Sequence, residues 1–273
     1  MARSLILYPG CMVLSRFPQY EAASRDILTA IGIEIQAMEE FCCCGASLAP
    51  GIWENWIHLP AYTLAQAERD GLDILTLCGG CTNTFRRAEI YLKNDPWLLE
   101  KVNQTLDKLD LSYSGVVRVR HLIDVLEENL TEVSQRVTQR LEQKVALSPP
   151  CQVFRPSRLH GDRETRHGSM RRIAEKIGIQ VVDYPLEDGC CGSTLLTVDG
   201  SMAIRAGASK LKSAIDHGAD VVCVACGNCL FLLDRYQKNM GIKKRVPIVT
   251  LSKLVALAMG LLPEKLIAGH TVP

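Results

Sequence analysis

Short apolar runs alternate with longer stretches of helical periodicity along the whole chain. Leu5-Ile6-Leu7 comes first, and Tyr20, Ala23, Ile27 and Ile31 then recur at helical spacing, which predicts a strand followed by a helix. Gly32 supplies a stop, and Ile33-Glu34-Ile35 reads as a second short strand. A second helical segment, Ala61 to Asp70, passes through Gly71-Leu72-Asp73 into the strand Ile74-Leu75-Thr76-Leu77. Val116 to Val119 is expected as a further strand, with a helix from His121 to Glu128 behind it. In the polar stretch Thr131 to Lys144, Val133, Val137 and Leu141 fall at four-residue steps and predict an amphipathic connecting helix.

The same order then repeats. Val145-Ala146-Leu147 opens the second half, and Met170, Ile173 and Ile177 mark its first helix, with Gly178 as the stop. Ile179-Gln180-Val181 matches Ile33-Glu34-Ile35. Ala203 to His217 leads through Gly218 into Val221 to Val224, and Ile248-Val249 precedes a closing helix from Leu251. Strands alternating with helices predict an α/β fold of two duplicated Rossmann-like domains, residues 1–144 and 145–273, each around a small parallel sheet and related by a pseudo-two-fold axis.

Composition narrows the function classes. Lys and Arg total 31 against 30 Asp and Glu, a balance that argues against a nucleic-acid-coating surface. The apolar stretch Leu254 to Leu262 is about half of what a membrane crossing needs. The apolar run near Met1 is too short for a signal-peptide core, so a cytoplasmic chain is expected, with a membrane-associated complex as the alternative setting. No dinucleotide fingerprint or phosphate-cradling loop is present.

The 12 cysteines change the picture. Ten form two matching sets: Cys11, Cys43-Cys44, Cys78 and Cys81, then Cys151, Cys190-Cys191, Cys226 and Cys229. Each vicinal pair is followed by a glycine, and each Cys-x-x-Cys follows a strand, where ligands gather in parallel sheets. A Cys-Gly-Gly-Cys turn lets two thiolates converge while backbone amides point at sulfur. Adjacent cysteines diverge and suit neighbouring metal atoms. A fifth thiolate is surplus to tetrahedral zinc but natural for a polynuclear iron–sulfur cluster. Paired zinc sites are the competing reading; a thioredoxin-like dithiol leaves the other thiols without a role. Cys42 and Cys223 fall outside the sets and are expected as buried small hydrophobes.

This pattern resembles the cysteine-rich CCG domains of heterodisulfide reductase B subunits. The stretches YPGCMVLSRFP, GLDILTLCGGC and CQVFRPS carry the resemblance along the chain. It implies one non-cubane [4Fe-4S] cluster on each five-cysteine set, which assigns the ten cysteines both cofactor-binding and catalytic roles. It also implies a small-molecule disulfide or thiol substrate placed between the two clusters, such as the coenzyme M–coenzyme B heterodisulfide. Electrons would come from a ferredoxin-like iron–sulfur subunit fed by a flavin-containing or membrane subunit. Related subunits suggest two alternatives: a quinone-linked electron-transfer subunit of a succinate or fumarate reductase-type complex, and a component of a sulfur-oxidising complex.

The second half carries extra residues after Cys151. The stretch Arg155 to His167 is basic and reads first as a solvated loop; the sharper reading is a wall that holds an anionic substrate group, for which Arg155, Arg158 and His160 head the candidates, with Arg163 and Arg166 behind them. Isolated histidines such as His58, His121, His217 and His270 are expected to be structural.

Overall fold

The computed structural model describes residues 3–263 apart from 39, 41, 46–48, 156–167 and 244. Two four-stranded sheets, parallel throughout, organise the chain. The first runs β2-β1-β3-β4, from β1 (Arg3–Tyr8), β2 (Ile33–Ala37), β3 (Asp73–Thr76) and β4 (Val119–His121). The second repeats that order as β6-β5-β7-β8, from β5 (Lys144–Ser148), β6 (Gln180–Val182), β7 (Val221–Val224) and β8 (Ile248–Thr250). Leu5, Ile6, Leu7, Ile74 and Leu75 are buried in one sheet, and Val145, Ala146, Leu147 and all of β7 in the other. Near-continuous apolar strands belong to sheets covered on both faces.

Helices of the first half are α1 (Cys11–Arg16), α2 (Pro18–Ala30), α3 (Ala49–Ile52), α4 (His58–Arg69), α5 (Gly79–Asn94), α6 (Pro96–Leu106), α7 (Leu122–Glu128) and α8 (Leu130–Gln135). Those of the second, among the described residues, are α9 (Cys151–Phe154), α10 (Ser169–Lys176), α11 (Gly200–Asp216), α12 (Gly227–Arg235) and α13 (Leu251–Ala258). Local chemistry sets their ends. Pro18 begins α2, and Gly32 at φ 80 follows its close. Asp95, Asp199 and Thr250 cap α6, α11 and α13 through side-chain bonds to backbone N–H groups.

The halves grip each other reciprocally. Closing helix α13 of the second half packs on α2 of the first, while α7 of the first packs on α10 of the second. At the latter contact Glu127 takes up Ser169 and Arg172. The glycines at the start of α5 and α12 do the same nearer the sheet ends. A Cβ on Gly79 would sit 3.3 Å from Pro150, and one on Gly227 would sit 3.0 Å from Val13.

Three expectations are corrected. The stretch Thr131 to Lys144 is not one helix: α8 ends at Gln135, and the N–H groups of Thr138 and Gln139 donate to the Ala258 carbonyl at 2.8 and 3.0 Å. Capture by the end of α13 competes with continued helix, yet Val133 and Leu141 still reach the core. Strand β4 starts at Val119, because Val116 is exposed and Glu68 binds the N–H groups of Ser114, Gly115 and Val116. The third correction is that Cys78-Gly79-Gly80-Cys81 opens a long helix, α5, instead of a simple turn. Helix α13, by contrast, is buried in the core as its apolar pattern predicts, and stops at Ala258.

Candidate functional site

Both Cys-x-x-Cys motifs occupy the same structural slot. Cys78 and Cys226 are the extended N-caps of α5 and α12, directly beyond β3 and β7. Cys81 and Cys229 lie in the first turns, so the free N–H groups and the positive helix ends face sulfur. Gly10, at φ 86, ends the approach from β1; a Cβ there would lie 3.1 Å from Cys81 Sγ. Only glycine fits both the backbone and the space.

The vicinal pairs arrive from the loops after β2 and β6. In the first half the Tyr8 hydroxyl donates to the Cys42 carbonyl at 2.8 Å and accepts from the Cys44 N–H at 2.9 Å, fixing that loop. In the second, the N–H groups of Gly192 and Ser193 donate to Cys190 Sγ and Cys191 Sγ at 3.3 and 3.5 Å. Such N–H···S bonds favour thiolate over thiol.

The ten thiols interact in two groups. Cys11 interacts with Cys43, and Cys44 with Cys81, which interacts with Cys78. Across the junction, Cys151 interacts with Cys190, which interacts with Cys191; Cys191 interacts with Cys229, and Cys229 with Cys226. The two sets meet where Cys78 Sγ and Cys226 Sγ lie 3.9 Å apart. Cys44, Cys78, Cys81, Cys191, Cys226 and Cys229 are buried, whereas Cys11, Cys43 and Cys190 are exposed and Cys151 is half-buried. Each set therefore has a deep side at the junction and a shallow side towards solvent.

Thiol acidity follows these interactions. The Cys11 thiol, interacting with Cys43, brings the latter down to about 6, against the opposing effect of burial. Cys190 is lowered by the Cys151 and Cys191 thiols, with help from the Gly192 N–H and the Lys210 charge. Cys226 falls well below the ordinary range through the Cys229 and Cys78 thiols and the N–H groups of Cys229 and Gly79. All-sulfur donors, spread in pairs and supplied with N–H groups, fit an iron–sulfur core.

A small open cleft lies at the junction, lined by Gly79 and Gly80 from one half and Cys151, Gln152, Cys190 and Asn228 among others from the second. Sequence reading missed its polar residues Gln152 and Asn228, although each follows directly on a motif cysteine or glycine. It also missed Tyr8 and Lys210. The signal for Lys210 was present: it shares a buried helical stripe with Ala203, Gly207, Leu211 and Ala214.

Of the expected basic wall, Arg155 is half-buried and donates to the Asp188 carbonyl at 3.1 Å. Arg158, His160, Arg163 and Arg166 lie outside the described residues, as does His270. Cys223 is fully buried in β7 as expected. Cys42 is not: it is half-buried, and its thiol turns to the Cys43 carbonyl at 3.6 Å, because the Tyr8 tie holds its backbone at the loop surface. His121 is buried, caps α7 through the Ile123 N–H, and is pushed down to about 4 by burial, a structural role. Among the described residues, no helix is long and apolar enough to cross a membrane.

Comparison with known proteins agrees with this architecture. A family model described as a cysteine-rich domain, CCG, matches residues 5–86 and again 145–234. The chain is 31% identical, over 96% of its length and 91% of the relative's, to the B subunit of the ferredoxin/F(420)H(2)-dependent CoB-CoM heterodisulfide reductase of Methanosarcina acetivorans. It is 30% identical, over 100% of its length and 98% of the relative's, to the 8-methylmenaquinol:fumarate reductase membrane anchor subunit of Wolinella succinogenes. A solved structure of a Helicobacter pylori protein superposes with a TM-score of 0.75 at 15% identity, covering 98% of this chain and 51% of that one, which shows a shared fold. With two matched domains and a near-full-length relative, the chain belongs to the cysteine-rich CCG-domain family of heterodisulfide reductase B subunits, and so among the subunits of iron–sulfur oxidoreductases.

Proposed function

We propose that the chain is the catalytic subunit of a heterodisulfide reductase-type complex, reducing or forming a disulfide of small thiols at the junction of its two thiol sets. The observation that carries this reading is the 3.9 Å approach of Cys78 Sγ to Cys226 Sγ, which sets the two groups of cysteines side by side. Cys11, Cys43, Cys44, Cys78 and Cys81 would hold one non-cubane four-iron cluster, and Cys151, Cys190, Cys191, Cys226 and Cys229 a second. The clusters would supply one-electron chemistry on the two sides of a sulfur–sulfur bond, whose cleavage takes two electrons.

The chain's own residues do the rest. The cleft at Cys151 and Cys190 gives a small disulfide a way to the junction, and Gln152, Ser193, Thr194 and Asn228 offer neutral hydrogen-bonding groups to orient it. Gly79 and Gly80 keep that wall thin: a Cβ on Gly80 would lie 3.3 Å from the Gln152 amide. Buried apolar strand ends beneath limit water at the deep thiols. The complex would also contain a ferredoxin-like iron–sulfur subunit and a flavin-containing or membrane subunit as electron donors.

Anaerobic purification with iron and sulfide counts tests the reading. About eight irons per chain, with a new paramagnetic signal on adding a thiol substrate, is the expected result. Zinc in place of iron would overturn it. A second reading, quinone-linked electron transfer, is favoured by the full-length likeness to the menaquinol:fumarate reductase subunit. Menaquinol oxidation by the assembled complex with no disulfide present would select that reading.

A further inference from the structure

The two thiol sets are fastened by different chemistry. The loop before the first vicinal pair hangs on the neutral Tyr8 hydroxyl. The loop before the second hangs on Lys210, which is 1% exposed and donates to the carbonyls of Leu186, Glu187 and Gly189 at 2.9, 2.7 and 2.8 Å. Three carbonyl acceptors require three N–H donors. A neutral amine has two, so Lys210 is an ammonium. The Tyr184 ring lies 5.8 Å from its nitrogen and adds to the site's preference for a cation.

That charge is buried in the loop that delivers Cys190 and Cys191, on one side of the duplication. Gly189, whose carbonyl Lys210 binds, directly precedes Cys190. Burial lowers the Lys210 ammonium below the ordinary lysine range, and the charges of Cys229, Cys191, Cys151 and Asp188 oppose that shift. In the first half the matching position is Thr63. It stands eight residues before Gly71, as Lys210 stands eight before Gly218, and both glycines are at positive φ after their helices. Thr63 is buried, and its hydroxyl has no hydrogen-bond partner among the described residues. Cys11, Cys43, Cys78 and Cys81 respond chiefly to other thiols, to burial and to backbone N–H groups.

We propose that Lys210 is an electrostatic positioning residue whose ammonium gives the site of Cys151, Cys190, Cys191, Cys226 and Cys229 a higher reduction potential than the site of Cys11, Cys43, Cys44, Cys78 and Cys81. Reduction adds negative charge, and a fixed cation in a poorly screened interior stabilises the reduced form. This rests on the reading of both sets as iron–sulfur ligands. It divides the duplicated scaffold into an electron-accepting side and a more reducing side, which the two matching sets of five cysteines alone would not do.

The test is a redox titration of the anaerobically purified full chain, followed by paramagnetic resonance, on the unaltered protein and on Lys210→Gln and Lys210→Arg. Cys11→Ser and Cys190→Ser assign each signal to its site. In the unaltered chain the Cys190 site is expected to titrate at the higher potential. Lys210→Gln retains two donors but no charge, and is expected to shift that site's oxidised-to-reduced ratio at least tenfold, equal to about 59 mV for one electron. The Cys11 site should stay in place, and Lys210→Arg should recover most of the shift. An unmoved Cys190 site, an equal shift at both sites, or an Arg variant as displaced as the Gln variant overturns the proposal. If the Gln variant does not fold, the order of the two potentials in the unaltered chain decides, and a lower value at the Cys190 site overturns it. A chain without iron overturns this proposal together with the cluster reading, and metal counts alone identify that case.

Discussion

The Arg86 guanidinium, on α5 of the first half, donates to the Val153 carbonyl on α9 of the second at 3.3 Å. The same side chain donates to the Val119 carbonyl and pairs with Asp124, whose carboxylate also accepts the His121 N–H. One buried cation thus joins the edge of the first sheet, the cap of α7 and the short helix that carries Cys151. Arg86→Met leaves a carboxylate and two carbonyls without that donor. Its expected cost is about 3–5 kcal/mol, the usual result of removing one partner of a buried ion pair. Urea denaturation under anaerobic conditions reads the loss, and Arg86→Lys should recover only part of it, since a point charge cannot reproduce the fork.

Gly192, directly after the second vicinal pair, is at φ 89, and a Cβ there would lie 2.8 Å from the Ala203 carbonyl and 2.9 Å from Ala206. Gly32 is also at positive φ, 80, but nothing lies within 4 Å of its added Cβ. Gly32→Ala should cost about 1–2 kcal/mol from backbone strain alone. Gly192→Ala carries that strain plus a clash with α11, so it should cost at least about 2 kcal/mol and reduce the iron bound per chain. Equal costs at the two positions would refute the close approach of α11 to the thiol loop.

Burial raises the Glu89 carboxyl to about 7 from an ordinary 4.5, with Arg86 and the Val119 backbone opposing the rise. The folded state therefore binds this proton more tightly than the unfolded chain. The stabilisation is full below about pH 4.5 and is lost as pH rises through about 7. At pH 8 Glu89 should cost up to about 1–3 kcal/mol relative to a neutral isostere. The stability difference between the unaltered chain and Glu89→Gln should widen, in favour of Gln, between about pH 4.5 and pH 7 and level off above that. A difference independent of pH would contradict the raised carboxyl.

Cys190 and Cys223 offer a direct contrast. Cys223 is buried in β7 with its thiol towards the Val224 carbonyl at 4.0 Å, outside the two groups of thiols. Cys223→Ala should keep the full iron complement and cost about 1 kcal/mol of packing. Cys190→Ser removes a thiol that interacts with both Cys151 and Cys191, and should lower iron by about half. Iron counts on the two variants check both statements.

Much of the architecture was legible before folding. Apolar runs such as Leu5 to Leu7 and Val221 to Val224 became strands, and the repeated glycine stops became helix ends at positive φ. The misreadings arose where tertiary contacts overrode local pattern. Val133, Val137 and Leu141 keep helical spacing, but the end of α13 takes the Thr138 and Gln139 N–H groups, so the helix ends early. Glu68 likewise occupies the backbone of Ser114 to Val116 and delays β4. Cys42 looked like a core residue by type, yet Tyr8 pins its carbonyl and leaves it half-buried.

Cysteine spacing and hydrophobic period are properties of neighbouring residues, and they determined the duplication, the parallel sheets and the two groups of five thiols. The meeting of Cys78 with Cys226, 148 positions along the chain, was decided only by how α5 seats on α9 and α1 on α12. So was the burial of a lysine at position 210, where the matching helix carries Thr63. Both depend on the shape of surfaces brought together from distant segments, and no local rule of period, cap or turn encodes that shape.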